Sequence, residues 1–392
     1  MTNTKAFKYR LYPTKKQEQG LQQTLTTCRF LYNNALAQRI DTYKNTQESV
    51  TYCDQANTLV KQKNDYQKQV HSQVLQESLK RLDTSFGNFF RRIKQQKAGK
   101  KVKAGFPRFK PDQRYNSFCY PQSGFRLTND SRRITLSKIG DVRLKYSRPT
   151  EGKIKTCRIV RDVDQWFVVL TCEQEVSEPL KSTNPTVGVD VGIKTFAFLS
   201  DGTQFENPRH TRNSEVKLAQ TQRRLSQKVK GSQNRNKQRL EVGKVHRKTR
   251  RQREDFLHKL SRELVDNYGC LVFEQLNIKG MVRNHKLAKH ISDCAWRKLI
   301  EYTTYKAEEA GVEVRLVNPK NTTQMCSSCG KIVPKTLADR THDCSHCGLV
   351  MDRDLNAAKN ILSRVGTTQS YAYGDLTATQ GHCVLEQVES VK

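Results

Sequence analysis

Hydrophobic and polar positions alternate most regularly over residues 186–202, which read TVGVDVGIKTFAFLSDG. Every second residue from Val187 to Ile193 is a branched apolar side chain, and this period predicts a strand with one buried face. The SDG sequence at 200–202 is a turn signal, so we expect the chain to fold back on itself there. Asp190 is the one carboxylate among these branched apolar side chains. A buried carboxylate needs a partner, a metal ion or an open strand end. From this stretch alone, Asp190 fits the role of a metal ligand and that of a turn cap equally well.

Near the start of the chain the pattern changes from strand to helix. KAFKYRL at residues 5–11 alternates as a short strand. From residue 15 onward apolar side chains recur at steps of three and four, which predicts a small helical bundle over residues 15–96. Its apolar positions are Leu21, Leu25, Cys28, Leu31 and Ala35, followed by Val70, Val74, Leu75, Leu79, Leu82, Phe86 and Phe89.

Residues 124–176 return to short alternating segments, with the sequences RITLS, DVRLKYS, KIKTCRIV and QWFVVLTCEQEV. Turn signals such as Asn-Asp, Gly-Asp and Glu-Gly separate them. The pattern predicts a meander or small barrel of antiparallel strands, which the strand at residues 5–11 can join. A polar linker at 181–185 follows.

The second half of the chain alternates helices with single strands. Sparse apolar residues at helical spacing over 213–268, interrupted by Gly-Ser at 231–232, predict a hairpin of two long helices. GCLVFEQL at 269–276 predicts a buried strand with Glu274 near its end. A helix at 294–310 and a strand at 312–317 follow, and DRDLNAAKNIL at 352–362 predicts a helix that opens with aspartates.

The charge of the chain is strongly unbalanced. Seventy Lys and Arg residues against 38 Asp and Glu give a formal net charge of +32, and the mean hydropathy is -0.78. Such self-repulsion favours a polyanionic partner, and nucleic acid is the obvious candidate. A membrane is disfavoured because there is no long apolar run and the start lacks a signal-peptide core, so we expect an intracellular protein.

One basic segment also carries aromatic rings. KAGKKVKAGFPRFK at residues 97–110 places Phe106 and Phe109 among cations. Such a segment either stacks on bases while its cations hold phosphates, or forms a solvated surface loop anchored by two phenylalanines.

Four of the twelve cysteines form two C-x-x-C-G units. The pairs are Cys326 with Cys329 and Cys344 with Cys347, and the fourteen residues between them are typical of four-cysteine zinc sites. Four thiolates complete a tetrahedron without an open position, so we predict a structural zinc rather than a redox dithiol. Two histidines lie close enough to substitute for a cysteine, His342 and His346. The other eight cysteines are scattered singly and indicate a reducing compartment.

Three carboxylates stand in comparable settings. Asp190 lies on a strand, Glu274 near the end of a later strand, and Asp354 at the start of a helix. Such groups can converge on two divalent cations about 4 Å apart, which activate water against a phosphodiester, and Mg²⁺ prefers these oxygen ligands. Asp352 competes with Asp354, and an aspartate is also favoured as a helix N-cap. Spacing alone permits this convergence without establishing it.

The ordered motifs GVDVGIKTFAFLSDG, FEQLNIKGM, the two C-x-x-C-G units and DRDLNAAKNIL resemble the TnpB proteins of insertion sequences. These are RNA-guided nucleases related to type V CRISPR effectors. The opening KAFKYRLYPTKKQEQGLQQTLTTCRFLYNNAL and the GFPRFK sequence are also similar to that family. Each motif alone is weak, whereas the ordered set is specific and covers nearly the whole chain apart from its tail.

The resemblance implies an α+β multidomain protein with a RuvC-like, ribonuclease H-type α/β nuclease domain. This domain would comprise residues 181–320 and 351–366, around a zinc-binding, target nucleic-acid-binding insert at 321–350. A β-barrel wedge domain at residues 1–14 and 97–180 would be interrupted by a helical recognition bundle at 15–96. Residues 367–392 would form a C-terminal tail that we expect to be partly disordered.

The resemblance also implies the site residues. Asp190, Glu274 and Asp354 match the family's Mg²⁺-binding catalytic triad. Arg340, in LADRTHDC, matches an arginine that lies near the zinc site in the family. The resemblance implies that this arginine contacts the scissile phosphate.

Members of the family bind a guide RNA derived from the transposon end and pair it with double-stranded target DNA beside a short adjacent motif, then cut both strands. We therefore expect an Mg²⁺-dependent, RNA-guided DNA endonuclease with a structural Zn²⁺, associated with the nucleoid in a prokaryotic cytoplasm. Two alternatives stay open: a nuclease-silent RNA-guided repressor, and a zinc-ribbon DNA-binding or transposition factor.

Overall fold

The computed structural model describes residues 2–175, 179–336 and 338–367. The chain divides into two compact units, Met1–Ser177 and Glu178–Lys392. The predicted tail lies outside the described residues from residue 368 onward. Among the described helices, none is both long enough and apolar enough to cross a membrane.

The first unit is built on a seven-stranded antiparallel sheet in the order β2-β6-β7-β1-β5-β4-β3. As predicted, the strand at the chain start joins the later strands, and it pairs with β7 from Thr2 opposite Glu175 to Leu11 opposite Trp166. Phe7, Tyr9 and Leu11 alternate into the core, which fixes this register. The strands are β1 (Thr2–Tyr12), β2 (Ser117–Tyr120), β3 (Phe125–Leu127), β4 (Arg133–Leu136), β5 (Gly140–Lys145), β6 (Lys153–Asp162) and β7 (Gln165–Glu175).

Four α-helices lie between β1 and β2, in agreement with the helical bundle that the period predicted. They are α1 (Lys15–Thr46), α2 (Tyr52–Lys61), α3 (Asp65–Lys68) and α4 (Ser72–Lys97). Thr14 begins α1 with a capping box completed by Gln17, which satisfies backbone N–H groups that the helix cannot. The apolar faces of α1 and α4 share one core with the sheet. The bundle therefore interrupts the sheet in sequence, between β1 and β2, but folds together with it.

The second unit contains a five-stranded mixed sheet in the order β10-β9-β8-β11-β12. β8, β11 and β12 are parallel, whereas β9 runs antiparallel to β8 and β10. The strands are β8 (Thr186–Val191), β9 (Thr195–Leu199), β10 (Gln204–Glu206), β11 (Cys270–Glu274) and β12 (Glu313–Val317). This arrangement agrees with the predicted α/β domain.

Six α-helices, a short 3-10 helix at Val365–Thr367 and a small hairpin complete the described part of this unit. The helices are α5 (His210–Ser226), α6 (Gln233–Asn267), α7 (Ile278–Met281), α8 (His285–Cys294), α9 (Trp296–Ala310) and α10 (Arg353–Ser363). β13 (Thr341–Asp343) pairs with β14 (Val350–Asp352). The helix predicted at 294–310 begins later, because Ala295 adopts a left-handed conformation (φ 52°) that ends α8 and starts α9. The sequence pattern did not predict α7 and α8.

Candidate active site and metal centre

Two of the three predicted acids lie side by side at the ends of neighbouring parallel strands. The last register pair of β8 and β11 joins Val189 to Phe273, so Asp190 and Glu274 each follow that pair by one residue. Residues at matching positions of parallel strands about 4.8 Å apart point to the same face of the sheet. Asp190 is itself paired with Phe198 of β9, so it lies inside the ladder rather than in the turn after β8.

The third acid comes from α10, which packs directly on β8. Gly188 makes this close approach possible, since a Cβ there would overlap the carbonyl oxygen of Ala358 on α10. Asp354 lies in the first turn of α10, and Asp352 is the N-cap of that helix. The Asp352 carboxylate accepts hydrogen bonds from the N–H groups of Asp354 (2.7 Å) and Leu355 (3.3 Å), so it is occupied with capping.

The other two predicted acids lie close enough to Asp190 to change its pKa. Burial raises the pKa of Asp190 well above its usual value, and the negative charges of Glu274 and Asp354 raise it further, while Arg353 opposes them. Burial also raises the pKa of Glu274. Crowded, partly desolvated carboxylates ionise readily only beside a cation, and hard oxygen donors of this kind suit Mg²⁺. The donor set therefore fits a magnesium site.

Arg353 supplies a positive charge at this centre. Its Nε and Nη2 atoms donate to one oxygen of Asp354 at 3.0 and 2.8 Å, and its Nη1 atom donates to the carbonyl of Asp339 at 2.8 Å. The backbone N–H of Arg353 donates to the carbonyl of Arg340 at 2.8 Å. The exposed Arg340 is therefore attached, through its backbone, to the residue that precedes Asp354.

A hydroxyl group holds the carboxylate of Glu274. The Thr322 hydroxyl donates to a carboxylate oxygen of Glu274, and both residues are buried. Asn360 of α10 fixes the Thr322 backbone by donating to its carbonyl at 2.8 Å. The same helix therefore carries Asp354 and supports the segment that orients Glu274.

A second asparagine connects α10 to the cysteine cluster. Asn356 donates to the carbonyl of Met325 at 2.8 Å and accepts from the N–H of Ser327 at 2.9 Å, so it brackets Cys326. Asn356 and Asn360 are both buried. One hydrogen-bonded frame thus joins the helix of Asp354, the support of Glu274 and the first cysteine pair.

The four predicted cysteines converge, with all Sγ atoms within 4.8 Å of one another. The Cys326–Cys347 and Cys329–Cys344 sulfur pairs are each 3.6 Å apart. A tetrahedral zinc with Zn–S bonds of about 2.3 Å requires sulfur separations of about 3.8 Å, so the cluster fits this ion. His342 is buried behind the cluster and His346 is exposed, and neither belongs to the four-cysteine group.

The two cysteine pairs have the same backbone geometry. In the first, the N–H of Cys326 donates to Lys331 and the N–H of Gly330 donates back to the Cys326 carbonyl, both at 2.9 Å. Gly330 has φ +74°, a left-handed conformation that favours glycine. The second pair repeats these contacts with Cys344, Leu349 and Gly348.

The sequence pattern missed Thr322, Arg353, Asn356 and Asn360. The roles of Thr322 and Arg353 depend on side chains that meet only in the folded chain. The two asparagines did leave a signal, because asparagine is unfavourable inside helices and here it recurs at i and i+4 on the buried face.

Three family models match the chain. The model described as "Probable transposase" (OrfB_IS605) matches residues 169–285. The "Cas12f1-like, TNB domain" matches residues 296–361, and a "Helix-turn-helix domain" matches residues 1–48. Over that last range the structure contains β1 followed by α1, a single helix of 32 residues, rather than two helices joined by a turn.

Two curated relatives span nearly the whole chain. A Streptomyces pristinaespiralis protein named "Putative RNA-guided DNA endonuclease" is 36% identical, over 92% of this chain and 89% of that protein. An Escherichia coli K12 protein named "Putative RNA-guided DNA endonuclease InsQ" is 32% identical, over 93% of this chain and 92% of that protein.

A solved structure is similar in fold. The chain in a cryo-EM structure of a Cas12f1–sgRNA–target DNA complex superposes with a TM-score of 0.55 at 14% identity, over 94% of this chain and 100% of that chain. This likeness confirms the predicted α+β fold class.

Proposed function

Because this chain belongs to the TnpB family of transposon-encoded proteins, we propose that it is an RNA-guided DNA endonuclease. A guide RNA derived from the transposon end pairs with the target strand, beside a short adjacent motif that the protein reads, and the protein cuts both DNA strands. The two full-length relatives named as such enzymes support this function. The net charge of +32 supplies the positive charge that RNA and DNA require.

Asp190, Glu274 and Asp354 hold the catalytic Mg²⁺ in this proposal. When bound by these residues, two Mg²⁺ ions would supply the activation of a water molecule and the stabilisation of the leaving oxygen of the phosphodiester. The protein fixes the three carboxylates from two parallel strands and one helix, and Thr322 orients Glu274. Arg340 would contact the scissile phosphate, a role supported by its exposed side chain and by its backbone carbonyl, which accepts from the N–H of the residue before Asp354.

The four cysteines hold a structural Zn²⁺. A site with four thiolates has no open position for a substrate or a water molecule, so this ion braces the insert and takes no part in the chemistry. The enzyme would work at the nucleoid in a prokaryotic cytoplasm, where thiols stay reduced.

The observation that carries the proposal is the placement of Asp190 beside Glu274, with Asp354 near enough to raise the pKa of Asp190. The test is cleavage of a plasmid library in which a guide-matched target is flanked by randomised bases. The protein is expressed with its native flanking DNA, purified with the RNA it retains and supplied with Mg²⁺, and Asp190→Ala is run alongside.

Cuts that require both a matched target and one flanking motif, and that disappear in Asp190→Ala, are the expected result. Target binding by an RNA-loaded protein that does not cut would identify a guided repressor instead. A protein without RNA or target preference would be a DNA-binding or transposition factor.

A further inference from the structure

The first unit contains a segment in which aromatic rings and cations occur together. Residues 84–111 hold nine Lys and Arg residues, five phenylalanines and no acidic residue. The acids that flank the segment are each paired with an arginine of α1, Asp83 with Arg39 at 3.1 Å and Asp112 with Arg29 at 3.7 Å. We call residues 84–111 the basic aromatic strap. The strap contains no carboxylate that could neutralise its own cations.

Four of the five rings form one cluster. Phe106 packs edge-on against Phe86 and Phe89 of α4, with ring centroids 5.5 and 5.2 Å apart. Phe90 lies 6.2 Å from Phe86 in a stacked arrangement and 5.2 Å from Phe89. These contacts hold the rings in place without covering them, because Phe90 is 59% exposed and Phe106 is 47% exposed.

The chain after α4 is fixed along its length although it forms no helix or strand there. Gln96 donates to the carbonyl of Val102 at 2.8 Å, and Pro107 is buried. Asn33 of α1 pins Lys110 through both of its backbone groups, at 3.0 and 2.8 Å. Phe109 lies between these anchors and is 54% exposed. The strap therefore presents its rings to solvent from a held backbone.

Rings held in this way can stack on bases only where the bases are unpaired, since a duplex buries the faces of its bases. A second strongly basic part of the chain differs in this respect. Residues 210–253 hold fifteen Lys and Arg residues and two acids but no Phe, Tyr or Trp, a composition suited to phosphates alone.

We propose that the basic aromatic strap binds unpaired nucleotides of the guide RNA, with Phe90, Phe106 and Phe109 stacking on bases and the surrounding cations holding phosphates. The identity of this partner rests on the proposed function. Target DNA arrives as a duplex and exposes unpaired bases only after the guide has paired with it, whereas guide RNA carries unpaired bases from the start.

The test measures binding of short labelled probes to the full-length Asp190→Ala protein after its own RNA has been removed at high salt. The probes are an unstructured RNA, a DNA of the same sequence and an RNA duplex. The variants are Phe90→Leu and Phe109→Leu, which keep apolar bulk but lose the aromatic face. Phe90→Tyr keeps that face, and Tyr66→Leu removes an exposed ring from α3, outside the strap.

Each strap leucine variant should bind the unstructured RNA about ten-fold more weakly, which is the loss expected for one stacked base. Binding of the duplex should stay unchanged, and Phe90→Tyr and Tyr66→Leu should bind as the parent does. Equal losses on duplex and unstructured RNA would overturn stacking, and unchanged RNA binding or selective binding of the DNA would overturn the assignment of the partner.

Ultraviolet cross-linking of the protein with its retained RNA provides a second measurement that needs no variant. Cross-linked nucleotides on the peptide with Phe90, or on the one with Phe106 and Phe109, are expected. Cross-links confined to other segments would refute the proposal. Neither readout requires DNA cleavage, so a failure of the strap and a failure of the nuclease function are distinguishable.

Discussion

Asp190 and Glu274 stand next to each other, each one residue beyond the pair Val189 and Phe273 that ends the ladder between two parallel strands. Two carboxylates in that relationship repel each other unless a cation lies between them. The second unit therefore has a destabilising repulsion near the carboxyl ends of β8 and β11, and a divalent ion bound there would relieve it.

The first prediction concerns pH. Because the pKa of Asp190 and that of Glu274 are raised in the folded chain, the folded protein binds protons more tightly than the unfolded chain does. Without Mg²⁺, the free energy of unfolding should fall as pH rises above the ordinary carboxylate range toward the raised values. Thermal melts across that pH range, in Mg²⁺-free buffer without a chelator so that the proposed zinc stays bound, should show this fall.

Asp190→Asn should remove most of that pH dependence, raise Tm at neutral pH in the Mg²⁺-free buffer and abolish DNA cleavage. Asp352→Asn is the matched control, because asparagine caps helices as well as aspartate does. A lower Tm for Asp190→Asn than for the parent in the Mg²⁺-free buffer would contradict the crowding of these acids.

The second prediction separates the two aspartates of α10. Asp354→Asn should abolish cleavage, whereas Asp352→Asn should cut at the parent rate. Asp352→Ala should lose about 1 kcal/mol of stability, as expected when a cap is lost, yet remain active. Cleavage assays and denaturant melts of the three variants check this, and an inactive Asp352→Asn would reverse the assignment.

The third prediction concerns the hydroxyl of Thr322, which orients Glu274. Thr322→Val should weaken Mg²⁺ binding about ten-fold, the lower end of the effect usual for a residue that orients a metal ligand. Titration calorimetry with Mg²⁺ measures this directly, and the Mg²⁺ concentration needed for cleavage should rise in parallel. Thr322→Ser should restore both, and guide RNA binding should be the same in all three proteins. Equal Mg²⁺ affinity in the valine and serine variants would rule out this role.

The fourth prediction concerns the zinc ligands. Cys326→Ser should lower zinc content and Tm together, because one of four thiolates is lost. Cys53→Ser, at an exposed cysteine outside the cluster, should change neither. Metal analysis by mass spectrometry and thermal melts measure both quantities. Full zinc occupancy with unchanged melting in Cys326→Ser would refute a structural zinc.

The fifth prediction uses a pair of glycines. Gly188→Ala should push α10 away from β8 and cost about 1–3 kcal/mol, as overpacking usually does, with cleavage reduced because Asp354 moves with the helix. Gly87→Ala, in α4, has open space around the new methyl group and should raise stability by up to about 1 kcal/mol. Changes in Tm of the same sign in the two variants would contradict the close packing of α10 on Gly188.

Local patterns were sufficient to predict most of the fold. The alternation at Val187 and Val189 predicted β8, and the helical spacing in residues 15–96 predicted the bundle of α1 to α4. The break at residues 231–232 lies between α5 and α6 as predicted. These elements have one strong period and one buried face, so neighbouring residues specify them.

The supports of the site could not be predicted in this way. Thr322 meets Glu274 across 48 residues of sequence and Asn360 meets Thr322 across 38, so no local period reveals either contact. Convergence of Asp190, Glu274 and Asp354 likewise depends on the parallel register of β8 and β11. Only the family resemblance indicated that these three residues belong together.

The chain passes through the cysteine cluster between Glu274 and Asp354, and Asn356 ties that cluster to α10. Without the proposed Zn²⁺, the protein would keep all three acids but would lose the brace that holds the helix of Asp354 in place. The supply of zinc in the cell would then set the fraction of these molecules that can cut DNA, and starvation for one metal would silence chemistry that depends on another.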